Sequence, residues 1–264
     1  MTETTIPAAD APPSRGTHLA TLGLLMAASG PIVLLAASLL WGLDTGDAAF
    51  FVVPAVLGLV GAVLIRRRRT AWKVIALVLA VLVAGAAFWT AFGLAEPASI
   101  FDFVPGLLVL PGVLLALVAG IVSIRSAKQG RPVGNGERRA AVAILGVVGL
   151  LAIVSAVMTV AGRETVDTDL AADADLVVDL EDFEFDQASY DVTGGDTVLV
   201  KNADPFVHTF TIEELGIDVD LGPSSEKLVD LPTEPGTYIL ICEPHTSDPD
   251  DPGEDDMAAE LTIG

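Results

Sequence analysis

The sequence predicts a membrane α-helical domain with five transmembrane helices, followed by an all-β sandwich. Three observations carry this expectation. Five uncharged apolar runs occupy most of the first 162 of 264 residues. Residues 175–264 break instead into short strand-like stretches separated by Gly and Pro turns. The charge divides at the same boundary: residues 1–162 hold 11 Lys/Arg and 7 Asp/Glu, and residues 163–264 hold 3 and 28.

The apolar runs cover residues 19–43, 48–65, 74–95, 103–124 and 140–162. Each is near the ~20 residues that a helix needs to cross a hydrocarbon core. Five such runs in succession cannot all be core helices of one small soluble domain, so a bilayer is the economical place for them. Residues 1–18 then form an N-terminal tail. Two gaps are basic: Arg66–Arg69 with Lys73, and Arg125, Lys128, Arg131, Arg138 and Arg139. The other two carry only acids, Asp44 with Asp47 and Glu96 with Asp102. Basic loops stay on the cytoplasmic side, which puts the N-terminus inside and everything after Gly162 outside the cell membrane. Trp41, Trp89 and Phe101 fall near outer ends, where aromatic rings favour the interface.

Small residues at Ala36–Ser38 admit a cleaved signal peptide as a second reading of the first run, one that leaves the later topology unchanged. Phe51-Val-Val-Pro leading into Arg66, and Phe103-Val-Pro-Gly leading into Arg125, form a faint repeat. It suggests two helical hairpins followed by a tethering fifth helix. No ionisable residue lies inside any run, so the runs offer no proton or ion path. They read as an anchor or an assembly surface.

Residues 163–174 are rich in Thr, Ala and Asp and read as a linker. Strands are expected at 177–185, 197–201, 207–212, 227–231, 237–242 and 259–263. Turn residues separate them at Gly194-Gly195-Asp196, Gly222-Pro223 and Pro235-Gly236.

The chain has one cysteine and three histidines, so no intramolecular disulfide can form. His208 opens one expected strand, Cys242 closes another, His245 follows three residues later, and Met257 precedes the last. Two imidazoles, a thiolate and a weak thioether are the ligand set of a blue-copper site. Zinc is the competing metal, because Cys with two His can also build a tetrahedron. The hydroxyl of Thr209 either helps to fix the imidazole or belongs to an ordinary strand threonine. The acids between His245 and Met257 are Asp248, Asp250, Asp251, Glu254, Asp255 and Asp256. They lack the ordered spacing of a calcium loop and read as a solvated segment.

Residues 175–264 resemble the cupredoxin (blue-copper) family, in particular its halocyanin-like and plastocyanin-like members. The resemblance lies in Gly195-Asp-Thr-Val198, Asn202-Ala-Asp-Pro-Phe-Val-His208-Thr-Phe, Pro235-Gly-Thr-Tyr238, Cys242-Glu-Pro-His245 and Met257-Ala-Ala-Glu-Leu-Thr-Ile. It implies a Greek-key sandwich carrying single electrons on one copper ion, held by His208, Cys242, His245 and Met257. In the family only a few residues separate the second His from the Met. Here residues 246–256 do, so an axial Met257 requires this insertion to loop outward.

The functional expectation is a membrane-anchored type 1 copper protein that transfers electrons on the outer face of the membrane and is not an enzyme. Its partners would be redox proteins, such as a basic cytochrome steered by the acidic surface, together with the lipid bilayer. The alternative is extracytoplasmic copper storage, delivery or tolerance. A domain of the same fold that has lost its metal is the third reading. Nucleic acid is excluded, because the acidic half repels phosphates.

Overall fold

The computed structural model describes residues 15–41, 48–129, 136–253 and 256–264. Most of the expected N-terminal tail, Asp44, Asp47, Arg131, Glu254 and Asp255 lie outside the described residues. The chain forms two compact units. One comprises Met1–Ala36, Gly46–Phe92 and Val104–Leu151; the other comprises Ala37–Thr45, Gly93–Phe103 and Ala152–Gly264.

A helix stands on each of the five apolar runs. They are α1 (Arg15–Trp41), α2 (Ala49–Leu64), α3 (Thr70–Ala86), α4 (Ile100–Gln129) and α5 (Gly136–Ala161), with a 3-10 stretch at Phe88–Ala95 after α3. Three segments are long and apolar enough to cross a membrane: His18–Leu40, Ile100–Ala127 and Arg139–Ala161. Thr70–Ala86 with Phe88–Ala95 qualifies only as a pair bent by 56°. Thus three or four candidate spans, rather than five, are found among the described residues. The shortfall has local causes. Helix α2 has 16 residues, or ~24 Å at helical rise, against a core of about 30 Å. The third run leaves helical geometry at Ala87 (φ −113°, ψ 21°).

Small residues let the first unit's helices approach closely. A Cβ on Gly23 of α1 would stand 2.5 Å from the Gly112 oxygen and the Ala116 nitrogen of α4. Ala20, Leu24, Ala62, Ile65, Ala76, Ala80 and Ala116 form a buried cluster from α1 to α4. A second cluster joins Ala27, Val83, Ala87, Val109 and Val113. On the outer faces, Val52, Val56, Val63, Val78, Val81 and Leu114 are exposed. Helix α5 shows Val142, Val147, Leu150, Ile153, Val157 and Val160. Exposed apolar helix faces of this kind are compatible with a lipid environment.

Among the described residues, the second unit holds a two-sheet sandwich of nine strands. They are β1 (Leu176–Glu181), β2 (Glu184–Phe185), β3 (Ser189–Val192), β4 (Thr197–Asn202), β5 (His208–Ile212), β6 (Ile217–Leu221), β7 (Glu226–Asp230), β8 (Gly236–Ile241) and β9 (Ala258–Ile263). One sheet has the order β2-β1-β4-β7 and the other β3-β9-β8-β5-β6. The pairs β1–β4 and β3–β9 are parallel, and the rest are antiparallel. Spatial neighbours that are distant in sequence require crossovers between the sheets. Alternation decides the faces: Tyr190 and Val192 of β3 point inward, and Leu261 and Ile263 of β9 do the same. With Val178, Leu180, Val198, Val200, Phe210, Ile212, Leu221 and Leu240 they fill one core.

Two strands escaped the sequence reading. Strand β3 is only four residues long, and β6 (Ile-Asp-Val-Asp-Leu) alternates with half-buried apolar positions. The stretch expected to be linker contains a one-turn helix, α6 (Thr168–Ala172), capped by the Asp167 carboxylate. Glu164 is tied to the start of β7: its amide donates to Ser225 Oγ (3.2 Å), and its carbonyl accepts from the Glu226 amide (2.8 Å).

Candidate metal centre

Three donor side chains meet at one end of the sandwich. His208 is the first residue of β5. Cys242 follows β8 directly, and His245 closes the short 3-10 turn Glu243–His245. The Nδ1 atoms of His208 and His245 lie 3.5 and 3.3 Å from Cys242 Sγ. All three donor atoms fall within 4.8 Å of one another. Such separations suit donors that each sit roughly 2 Å from a shared ion. His208 and Cys242 are fully buried and His245 is half-buried, so the site is closed on the sandwich side and open at His245.

The loop before β5 is built by its own polar side chains. Asn202 donates to the carbonyls of Phe206 (2.8 Å), Leu221 (3.1 Å) and Gly222 (3.0 Å), and accepts from the Asp204 amide (2.9 Å). Asp204, which is 1% exposed, is thereby aimed at the far side of the His208 ring. His208 Nε2 lies 2.8 Å from Asp204 Oδ2. A proton held on Nε2 by that carboxylate leaves the Nδ1 lone pair directed at the site. Burial alone would raise the Asp204 pKa. The bonds from His208, Phe183 and Asp182 outweigh it and hold the carboxyl below its usual range.

Asp204 also shapes the neighbouring turn. It accepts from the amides of Asp182 and Phe183, each at 3.1 Å. Both residues have positive φ, 57° and 63°, a conformation costly for side-chain-bearing residues. The turn aims the Phe183 ring at His245 (4.9 Å between centroids), Phe206 (5.1 Å) and His208 (5.6 Å).

Thr209 holds the cysteine and not the imidazole. Its amide donates to Cys242 Sγ at 3.3 Å, and its hydroxyl accepts from the Glu243 amide at 2.9 Å and from Thr211 Oγ1 at 3.0 Å. Burial pushes the Cys242 thiol up to about 11 despite these bonds, so a bound cation must displace its proton. Burial, then the neighbouring His208, pushes His245 down to about 3 against the pull of Asp204. The His245 imidazole is therefore neutral and able to donate a lone pair. The donor set thus fits a soft, thiolate-accepting metal ion.

Met257 is buried in the same apolar cluster as Cys242. Its backbone ties the two sides of the site together: the Cys242 amide donates to the Met257 carbonyl and the Met257 amide to the His245 carbonyl, both at 3.0 Å. Thr246 Oγ1 adds a bond to the Met257 carbonyl at 3.0 Å. The described part of the insertion is largely exposed, and Asp256 accepts from Ser247 and Gly253 across its neck.

Residues 149–250 match the family model of the cupredoxin-like domain. The C-terminal part of this chain is a cupredoxin-like domain. Such domains bind one copper ion, and His208, Cys242 and His245 gather as that ligand site would require, with Met257 close by. The match stops short of Met257 and reaches back into α5, and no family matches the preceding helices. No curated protein matches the chain. Among solved structures, an oxidized amicyanin mutant is 21% identical, covering 39% of this chain and 92% of its own with a TM-score of 0.30. A reduced Cu(I) amicyanin mutant is 24% identical over 34% of this chain and 81% of its own, with a TM-score of 0.27.

Sequence reasoning did not assign roles to Asp204 or Phe183 in the cupredoxin-like domain. Asp204 stands four residues before His208 within the quoted motif, and a buried acid at that spacing was the available signal. Phe183 carried none, because its approach depends on a left-handed turn.

Proposed function

We propose that this chain is a membrane-anchored type 1 copper protein that carries single electrons on the outer face of a cell membrane and is not an enzyme. The observation that carries the reading is the convergence of two imidazole Nδ1 atoms on one buried thiol, with Asp204 fixing the tautomer of the first imidazole. Copper bound there supplies a Cu(I)/Cu(II) couple. His208, Cys242 and His245 would hold the ion, with Met257 as a fourth, weaker donor. Bonds from Thr209 and Asn202 hold these side chains in place without the ion, an arrangement that would suit both oxidation states of copper. His245, half-buried beneath Phe183, is the edge through which a partner would exchange the electron.

The anchor is residues 19–162, read as five crossings, with residues 1–18 cytoplasmic, 163–174 a linker and 175–264 the extracytoplasmic copper domain. The basic loops and exposed apolar helix faces support it. Redox proteins are the partners, and the 28 acids of the outer part favour a basic one such as a cytochrome.

The test is visible absorption of the purified chain after Cu(II) addition. The wild type should bind one equivalent and turn intensely blue or green, because a Cu–thiolate bond gives a strong charge-transfer band. Cys242→Ser should abolish the band, and Met257→Leu should keep it while raising the reduction potential. A colourless wild-type complex, or preference for zinc in competition, rejects the blue-copper reading.

A further inference from the structure

The segment Gly93–Phe103 belongs to the same compact unit as the cupredoxin-like domain, and its end is built onto the loop that carries His208. Ser99 caps α4, its hydroxyl accepting from the Asp102 amide at 3.4 Å. An acid three residues into a helix ordinarily turns back to the amide of the capping residue. Here the Ser99 amide already donates to the Glu96 carbonyl at 3.0 Å. The Asp102 carboxylate is thus released for another donor, and Oδ2 accepts from the Val207 amide at 3.0 Å. Val207 immediately precedes His208. Beside this bond, the ring of Phe101 meets Phe206 edge-on at 6.3 Å. The segment is itself anchored from behind, because the Ile100 amide donates to Thr159 Oγ1 at 2.9 Å. Without Asp102 the buried Val207 amide would lose its acceptor, at the point where the backbone sets the direction of the His208 ring.

We propose that Asp102 is a positioning residue of the metal centre: it fixes the backbone at Val207 and so orients His208, making the start of α4 part of the wall of the copper site. The orientation claim concerns the copper ligand and rests on the proposed function; the bond itself does not. Asn202 holds the same loop from the sandwich side through the Phe206 carbonyl, and Asp102 holds it from the opposite side.

The test uses the full chain in detergent micelles and reads amide hydrogen exchange in the metal-free protein first. Asp102→Ala should speed exchange at Val207 roughly tenfold, the scale of one lost charge-assisted bond, while the Leu240 amide of β8 keeps its protection. Asp102→Asn retains an acceptor oxygen and should restore protection at Val207. Asp102→Ser, too short to reach Val207 yet compatible with a helix start, provides a second loss variant if the alanine form does not fold. With Cu(II) added, the loss variants should shift the charge-transfer band and the reduction potential, and the asparagine form should not shift the band. Unchanged Val207 exchange in the loss variants overturns the proposal, as does equal loss of protection at Val207 and Leu240. Failure of the blue-copper reading is a different outcome: the exchange pattern would stand while no coloured complex formed.

Discussion

The helical and β units use apolar residues in opposite ways. In the first unit small residues face inward: Ala20, Ala62, Ala76, Ala80 and Ala116 are buried, while Val52, Val63, Val81 and Leu114 face out. In the sandwich the large side chains are inside, with Phe210, Leu180, Ile212, Leu221 and Leu240 fully buried, and acids cover the surface. Water enforces the second pattern because burying large apolar groups is what stabilises a soluble sandwich. The first pattern is compatible with a lipid environment, where close backbone contact between small residues is a main source of helix association. Chemistry follows the same division. The β unit can hold a preformed donor set because its strands fix each side chain from several directions.

Topology would break this comparison most completely. Single cysteines placed by Arg67→Cys or Leu170→Cys, on a Cys242→Ser background, should label from opposite sides of intact cells. Position 170 should react from outside, and position 67 only after permeabilisation. Labelling of position 67 from outside would refute the argument from charge.

Paired truncations should sharpen the comparison next. Phe210→Ala empties the sandwich core and should cost about 3–5 kcal/mol in chemical denaturation of the β unit. Val147→Ala on α5, a position 57% exposed, should change stability by less than about 0.5 kcal/mol. Similar losses from both would mean that α5 is packed against something in its working environment.

The smallest effect concerns the acidic insertion. Bonds from the Gly253 and Ser247 amides hold the Asp256 carboxyl below the usual carboxylate range. A carboxyl depressed in the folded state contributes order above its unfolded value, about 3.9. That contribution is lost as pH falls through the folded value. NMR titration should show the Ser247 and Gly253 amide signals holding to below that pH and then shifting together. Asp256→Asn should remove the step. A transition at the ordinary carboxylate value would show that the neck of the insertion is open in solution.

Much of this molecule was legible in its residues. Composition separated the halves, one apolar and one acidic, and short runs between turn residues marked six of the sandwich's strand regions. His208, Cys242, His245 and Met257 announced a soft-metal set by type and order alone, since few other arrangements use one thiol, two imidazoles and a thioether. The tertiary structure decided the rest. It showed that α2 has only 16 residues and that the third run bends after Ala86, which hydropathy averaged over a window cannot register. It assigned Thr209 to the cysteine side of the site, because β5 and the Glu243–His245 turn lie side by side. It also brought Asp204 and Phe183 against the His208 and His245 rings and Asp102 onto the Val207 amide. Their positions depend on a left-handed turn, a self-bonded loop and a helix cap that meet only after folding. Residue types and spacing determined which chemistry was available, while the backbone's path through space determined which side chains hold it in place.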